Sequence, residues 1–163
     1  MFNKFLNSLK RPSNVNLIEA IQQGYNAIIG NDPKKHNFIK PPQFDNGFQI
    51  LWVNTQKFDD LWKQNNMYVT KDNAIHDRYE RFKNYWLNNK NIEVPYVFIG
   101  APDYENYQEI ADISNGRHRY AFMKDIGMKS IPMMMDEKSA KYATNNGFVN
   151  KSKVIDRTVL ERK

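Results

Sequence analysis

Five consecutive residues stand out for the chemistry they can do together: Asn115, Gly116, Arg117, His118 and Arg119. A glycine in such a run lets the backbone bend and approach a ligand closely. If a helix opens behind it, the first backbone N–H groups lack intrahelical partners and point out of the positive end of the helix dipole. Cations in a first turn oppose that dipole, so helix stability does not explain Arg117, His118 and Arg119. An anion held in front of them does. Arginine supplies planar, forked donors that match phosphate oxygens, and histidine supplies a proton that moves near neutral pH. The expectation is a phosphate- or nucleotide-binding turn made of Asn115 to Arg119. The plainer alternative is an exposed basic loop.

Carboxylates gather just before the turn, at Asp103, Glu105, Glu109 and Asp112. On a strand, Asp112 shares a face with Ile110 and Ser114 and lies a few residues from Gly116. Asp112 or Glu109 would then complete a catalytic set with His118, by holding the Mg²⁺ of a nucleotide (ATP or CTP) or by acting as a base. The plainer reading makes them loop and edge-strand charges. His76, Asp77 and Glu80 lie within about one helical turn, but two ligands do not make a metal site, so they read as a solvated helix face. There is no Walker-type glycine loop, no serine nucleophile elbow and no zinc-ligand spacing.

The turn needs a strand to lead into it and a helix to follow. Residues 107–114 read as that strand. Residues 117–126 read as the helix, closed by Gly127, with a further strand over 130–135. The run Met133 to Met135 suits a strand buried on both faces. Upstream, 48–53 reads as a strand and 56–64 as a short helix capped by Asn54 or Thr55. A longer helix is predicted over 73–88, with Ile75, Tyr79, Phe82, Trp86 and Leu87 near one face. Residues 94–99 form a strand with Pro95 near its start, and 139–145 a last helical turn. The alternation predicts an α/β (α+β) fold, a small mixed sheet with flanking helices. Residues 1–43 read as an N-terminal helical arm, 44–148 as the domain, and 149–163 as a basic tail.

The strand, the Gly-Arg-His-Arg turn, the helix with Ala121, Gly127 and the Ser130-Ile131-Pro132 strand together resemble the ParB/sulfiredoxin superfamily. Upstream, Tyr79 to Asn89 is similar to the family's helix, and Ile92 to Val97 to its I-x-x-P-x-x-V strand. The resemblance covers roughly Phe48 to Met135. It implies nucleotide or phosphate binding at the turn, with Gly116, His118 and Arg119 matching the phosphate-binding Gly, His and Arg. Known members include sulfiredoxin, a free-serine kinase, CTP-hydrolysing partition proteins, and plasmid proteins with ATPase and DNase activity. Two departures matter. The sulfiredoxin nucleophile is a cysteine at the position of Arg117, and this chain has no cysteine, so sulfinic-acid repair is excluded. The partition proteins carry a metal-associated Glu there, which Arg117 cannot replace.

Composition bounds the rest. A chain of 163 residues, 40% hydrophobic and rich in Phe and Tyr, is the size of one domain with a real core. No apolar stretch approaches the roughly 18–20 residues of a spanning helix, so a soluble, cytoplasmic protein with no membrane partner is expected. The net charge of +6 sits at the two ends. Lys4, Lys10, Arg11, Lys34, Lys35 and Lys40 are candidates for contact with DNA. Tyr104, Tyr107 and Tyr120 flank the turn and are candidates to stack on a base. Two readings follow: a nucleotide hydrolase, nuclease or small-molecule kinase in a plasmid or phage accessory role, or a non-catalytic DNA- or protein-binding module that keeps the phosphate-binding turn.

Overall fold

The computed structural model describes residues 33–44, 47–74, 77–101 and 108–150. These belong to a compact unit that begins at Pro33. The arm expected before it and the tail from residue 151 lie outside the described residues.

A mixed sheet in the order β2-β6-β4-β5 forms the centre. Its strands are β2 (Phe48–Asn54), β4 (Tyr96–Gly100), β5 (Ile110–Asn115) and β6 (Ser130–Asp136). β2 pairs antiparallel with β6, from Phe48 opposite Asp136 to Asn54 opposite Ser130. β4 pairs antiparallel with β5 and parallel with β6. β6 is an inner strand, and Ser130 to Met135 are all buried, as the methionine run implies. Ile131, Met133 and Met135 join the main core with Val97, Ile99 and Ile113. Four helices flank the strands: α1 (Thr55–Trp62), α2 (Arg78–Asn88), α3 (Arg117–Asp125) and α4 (Glu137–Asn145). Among the described residues no helix is long and apolar enough to cross a membrane.

Local chemistry sets the boundaries. The Asn54 side chain accepts from the Lys57 N–H at 2.9 Å and starts α1. Asp136 does the same for α4 through the Ser139 N–H. α2 begins at Arg78, not at 73 as the periodicity suggests. The Asn73 side chain accepts from the Thr70 N–H at 2.6 Å and donates to the Tyr68 carbonyl at 2.9 Å. Asn73 therefore closes a turn that competes with helix.

The strand expected over 94–99 is divided. β3 (Asn91–Glu93) pairs in parallel with β1 (Asn37–Ile39) in a separate small sheet. The Val94 N–H still bonds the Ile39 carbonyl at 3.0 Å, and β4 begins only at Tyr96. Pro95, with no N–H to donate, is where the chain changes sheets; its carbonyl accepts from the Met134 N–H at 2.8 Å. β1 and the residues before it pack with the rest of the unit, although the sequence groups them with the arm. The His36 ring lies 4.0 Å from Trp86, and Phe38 contacts Trp52 and Trp86.

Candidate phosphate-binding site

β5 delivers the chain to Gly116, and α3 starts at Arg117. Gly116 has φ of 90° and caps α3 with no side-chain hydrogen bond. A Cβ built there would lie 3.0 Å from Pro95 Cα. The position thus needs glycine twice over: for its left-handed backbone, and for its close approach to the β3–β4 junction.

The three basic residues that follow have different surroundings. Arg117 turns back, its Nε donating to the Ile113 carbonyl at 3.1 Å. His118 is half-buried, and its Nε2 is buried with no hydrogen-bond partner among the described residues. Burial, then the nearby Arg78 and Arg117 guanidinium groups, hold its pKa below the ordinary value. Arg119 is a bracket. Its Nη1 donates to the Glu93 and Val94 carbonyls at 3.2 and 3.3 Å, and its Nη2 lies 3.3 Å from Glu93 Oε2. Burial pushes the Arg119 pKa down, against the opposing effect of Glu93 and Tyr85. Asn115 ends β5, exposed, opposite Tyr96.

A cleft of about 470 Å³ opens between α2 and this bracket, lined by Arg78, Arg81, Phe82, Tyr85, Glu93 and Arg119. That volume is in the range of small-molecule sites. Arg78, Arg81 and Tyr85 follow i, i+3, i+7 spacing, so one face of α2 presents them together. Arg78 is exposed and has no ion-pair partner among the described residues, whereas Arg81 pairs with Asp77 at 3.3 Å. Sequence reasoning missed these four lining groups, Arg78, Arg81, Tyr85 and Glu93. The available signal was that helical spacing, with a cation at the first residue of α2, where the helix dipole again disfavours it.

The structure does not bring the expected catalytic carboxylates to this cleft. Asp112 Oδ1 accepts from Asn65 Nδ2 at 3.3 Å and from the Ile113 N–H at 2.8 Å. Glu109 accepts from the Tyr142 hydroxyl at 2.9 Å, against α4. Arg119 makes its contacts with Glu93 and Val94 instead. Among the described residues no three His, Asp or Glu side chains gather as metal ligands. Asp112 and Glu109 are each hydrogen-bonded to residues that do not line the cleft. Asp103, Glu105, Tyr104, Tyr107 and His76 lie outside the described residues. Tyr120 is fully buried, its hydroxyl 3.0 Å from Asp59, so it belongs to the core and is no stacking platform.

No family model matches the chain, and no curated protein matches it. A solved structure does: the crystal structure of the Oncogenic Suppression Activity Protein, a plasmid fertility inhibition factor, as its gold(I) cyanide derivative. The two share 13% sequence identity at a TM-score of 0.53, over 67% of this chain and 60% of that one. This chain shares the fold of that plasmid factor. The likeness bears on architecture alone.

The position of His118 gives a pH test. Its folded pKa lies below the ordinary 6.5, so the folded protein binds fewer protons than the unfolded chain in that window. Its contribution to stability is therefore present above about pH 6.5 and lost as pH falls through the folded pKa. A bound anion favours the imidazolium and reverses that slope. Sulfate, which does not titrate in this range, is expected to raise the melting temperature more at about pH 5.5 than at about pH 7.5. His118→Gln should flatten the difference. Equal sulfate shifts at both pH values in the wild type would place the anion away from His118.

Proposed function

We propose that this protein is a phosphate-binding module of ParB/sulfiredoxin-like fold that holds a nucleotide, or the phosphate of a nucleic acid, in the cleft between α2 and α3. The plasmid factor with the same fold suggests the setting, a plasmid or phage accessory role. One observation carries the reading. Arg78, with no ion-pair partner among the described residues, lines the cleft with Arg81 and Arg119, and its charge acts on His118, whose buried Nε2 has no partner. A cation without an ion-pair partner, set among further guanidinium groups, suits an anion. Asp112 and Glu109, the carboxylates expected to assist turnover, are hydrogen-bonded outside this cleft.

Arg78→Ala is the direct test. Removing a cation from the first turn of α2 relieves the helix dipole, so folding should be unharmed. Losing a charge-assisted bond to phosphate should cost about 1–2 kcal/mol, roughly 5- to 30-fold in Kd. Titration with ATP, CTP and a short DNA duplex, each with and without Mg²⁺, checks this. Unchanged affinity for every probe would remove the site from this cleft. Release of phosphate or cut DNA during these titrations, lost in His118→Gln, would instead favour the hydrolase or nuclease reading. A DNA ligand would show itself by a steep salt dependence, with a log–log slope of about −0.9 per duplex phosphate neutralised. Of the lysines expected to guide DNA, Lys34 and Lys35 lie in the short turn Pro33–Lys35 and Lys40 Nζ reaches the Phe48 carbonyl at 3.4 Å. Lys4, Lys10 and Arg11 lie outside the described residues.

A further inference from the structure

A carboxylate in the wall of a phosphate site calls for a reason. Glu93 lines the same cleft as Arg78, Arg81 and Arg119. One of its oxygens, Oε2, is held 3.3 Å from Arg119 Nη2. The other, Oε1, has no partner among the described residues, and the side chain is 37% exposed, so it remains open to a ligand. Glu93 repels phosphate oxygens and competes with them for the Arg119 fork. It also accepts hydrogen bonds from a sugar hydroxyl or a base amino group, neutral donors that sit away from the phosphate charge.

The cleft has two chemically distinct ends. Arg78 opens α2 and lies in the cleft wall with Arg81. Tyr85 lies seven residues on, roughly 10 Å along the helix axis, and its hydroxyl donates to the carbonyl of Asn91, two residues before Glu93 in β3. Between them Phe82 and Tyr85 stack with their rings 24° apart. The cationic end suits phosphate. The other end offers ring faces and an acceptor.

We infer that Glu93 is the specificity-determining residue of this cleft: it selects a nucleoside phosphate, whose sugar hydroxyl or base amino group donates to Oε1, and rejects phosphate chains that carry no such donor. The inference rests on the phosphate reading above and goes beyond it in naming what the cleft excludes. Arg119 is the positioning residue that fixes the Glu93 carboxylate.

The test uses the full chain and four probes: inorganic pyrophosphate, ADP, 2′,3′-dideoxy-ADP and IDP. The wild type is expected to bind ADP about tenfold or more tighter than pyrophosphate, the worth of a hydrogen bond to a charged acceptor. Glu93→Gln keeps shape and removes charge. It should tighten pyrophosphate, weaken ADP, and shrink the ratio to about threefold or less. The wild type alone supplies a second measurement, should the variant fold poorly. Weak binding of dideoxy-ADP assigns the donor to the sugar, and weak binding of IDP assigns it to the base amino group. Either result supports the role of Glu93. If both analogues bind like ADP, or if Glu93→Gln leaves the ADP-to-pyrophosphate ratio unchanged, the inference falls while the phosphate reading stands. If none of the four probes binds the wild type, the inference falls, and the phosphate reading falls with it only when CTP and the DNA duplex also fail to bind.

Discussion

Asp59→Ala is expected to destabilise the protein by about 3 kcal/mol, near the low end for breaking a buried charge pair. Asp59 sits on α1 with a side chain only 17% exposed. Lys124 Nζ on α3 reaches its two oxygens at 3.2 and 3.4 Å, the Tyr68 hydroxyl at 3.2 and 3.1 Å, and the Tyr120 hydroxyl reaches Oδ1 at 3.0 Å. Lys124 also bonds the Tyr68 hydroxyl and lies 4.8 Å from the centre of its ring. Burial pulls the Lys124 pKa down, but the Tyr68 hydroxyl and Asp59 more than reverse it, so the ammonium is held charged in a poorly solvated place. Burial and Asp59 push the Tyr120 hydroxyl far above its ordinary range, so it stays a donor. Without Asp59 a part-buried cation and two hydroxyls lose their shared acceptor at once. Residual exposure of about a fifth lets water recover part of the loss, hence the lower figure. Urea unfolding measures it. Asp59→Asn keeps acceptor capacity without charge and should lose clearly less. A change under about 1 kcal/mol for Asp59→Ala would mean that the cluster is solvated and contributes little.

That cluster was not legible in the sequence, and the reason is general. Asp59 and Lys124 are 65 residues apart, and nothing in local spacing links them. The features that were legible are those whose cause is local. Gly116 and Gly127 bound a helix because both take positive φ, and α3 lies between them. Ser130 to Met135 reads as a strand buried on both faces because no residue in it needs water. The central sheet and the helix that follows the turn emerged for the same reason. β1 and β3 are three residues each and exist only because they pair with one another across the chain. α2 loses its first residues to an asparagine turn that helical periodicity does not register. The cleft was half visible. The turn supplied Arg119, but the opposite wall belongs to the polar side of α2, where Arg78 and Arg81 look like solvated charges until the Gly116 turn is placed beside them.

Arg119→Ala is expected to cost about 2–3 kcal/mol of folding stability, the range for hydrogen bonds made by a charged group. From the sequence alone Arg119→Ala is expected to cost about 1–3 kcal/mol in phosphate binding with the fold little changed, unless Arg119 is buried and paired with a structural carboxylate, in which case unfolding dominates. The surroundings of Arg119 are those of the second case. The Arg119 side chain is 21% exposed and reaches away from its own helix to the Glu93 and Val94 carbonyls and the Glu93 carboxylate. Those carbonyls end β3, at the point where the chain leaves one sheet for the other, and Pro95 beside them packs against Gly116. Arg119 therefore ties the turn to the strand junction. Alanine would leave two carbonyls short of a donor and an acidic side chain without its cation. Arg119→Lys should rescue only part of this, because one ammonium cannot span both carbonyls and the carboxylate as a planar fork does. Urea melts should show the midpoint of Arg119→Ala well below wild type, with the lysine variant between them. Pyrophosphate titration of the still-folded fraction then reads the cleft separately. An unchanged melt with lost binding would return Arg119 to the role of a ligand residue alone. A lowered melt with unchanged pyrophosphate affinity would make it purely structural and leave Arg78 as the main cation of the site.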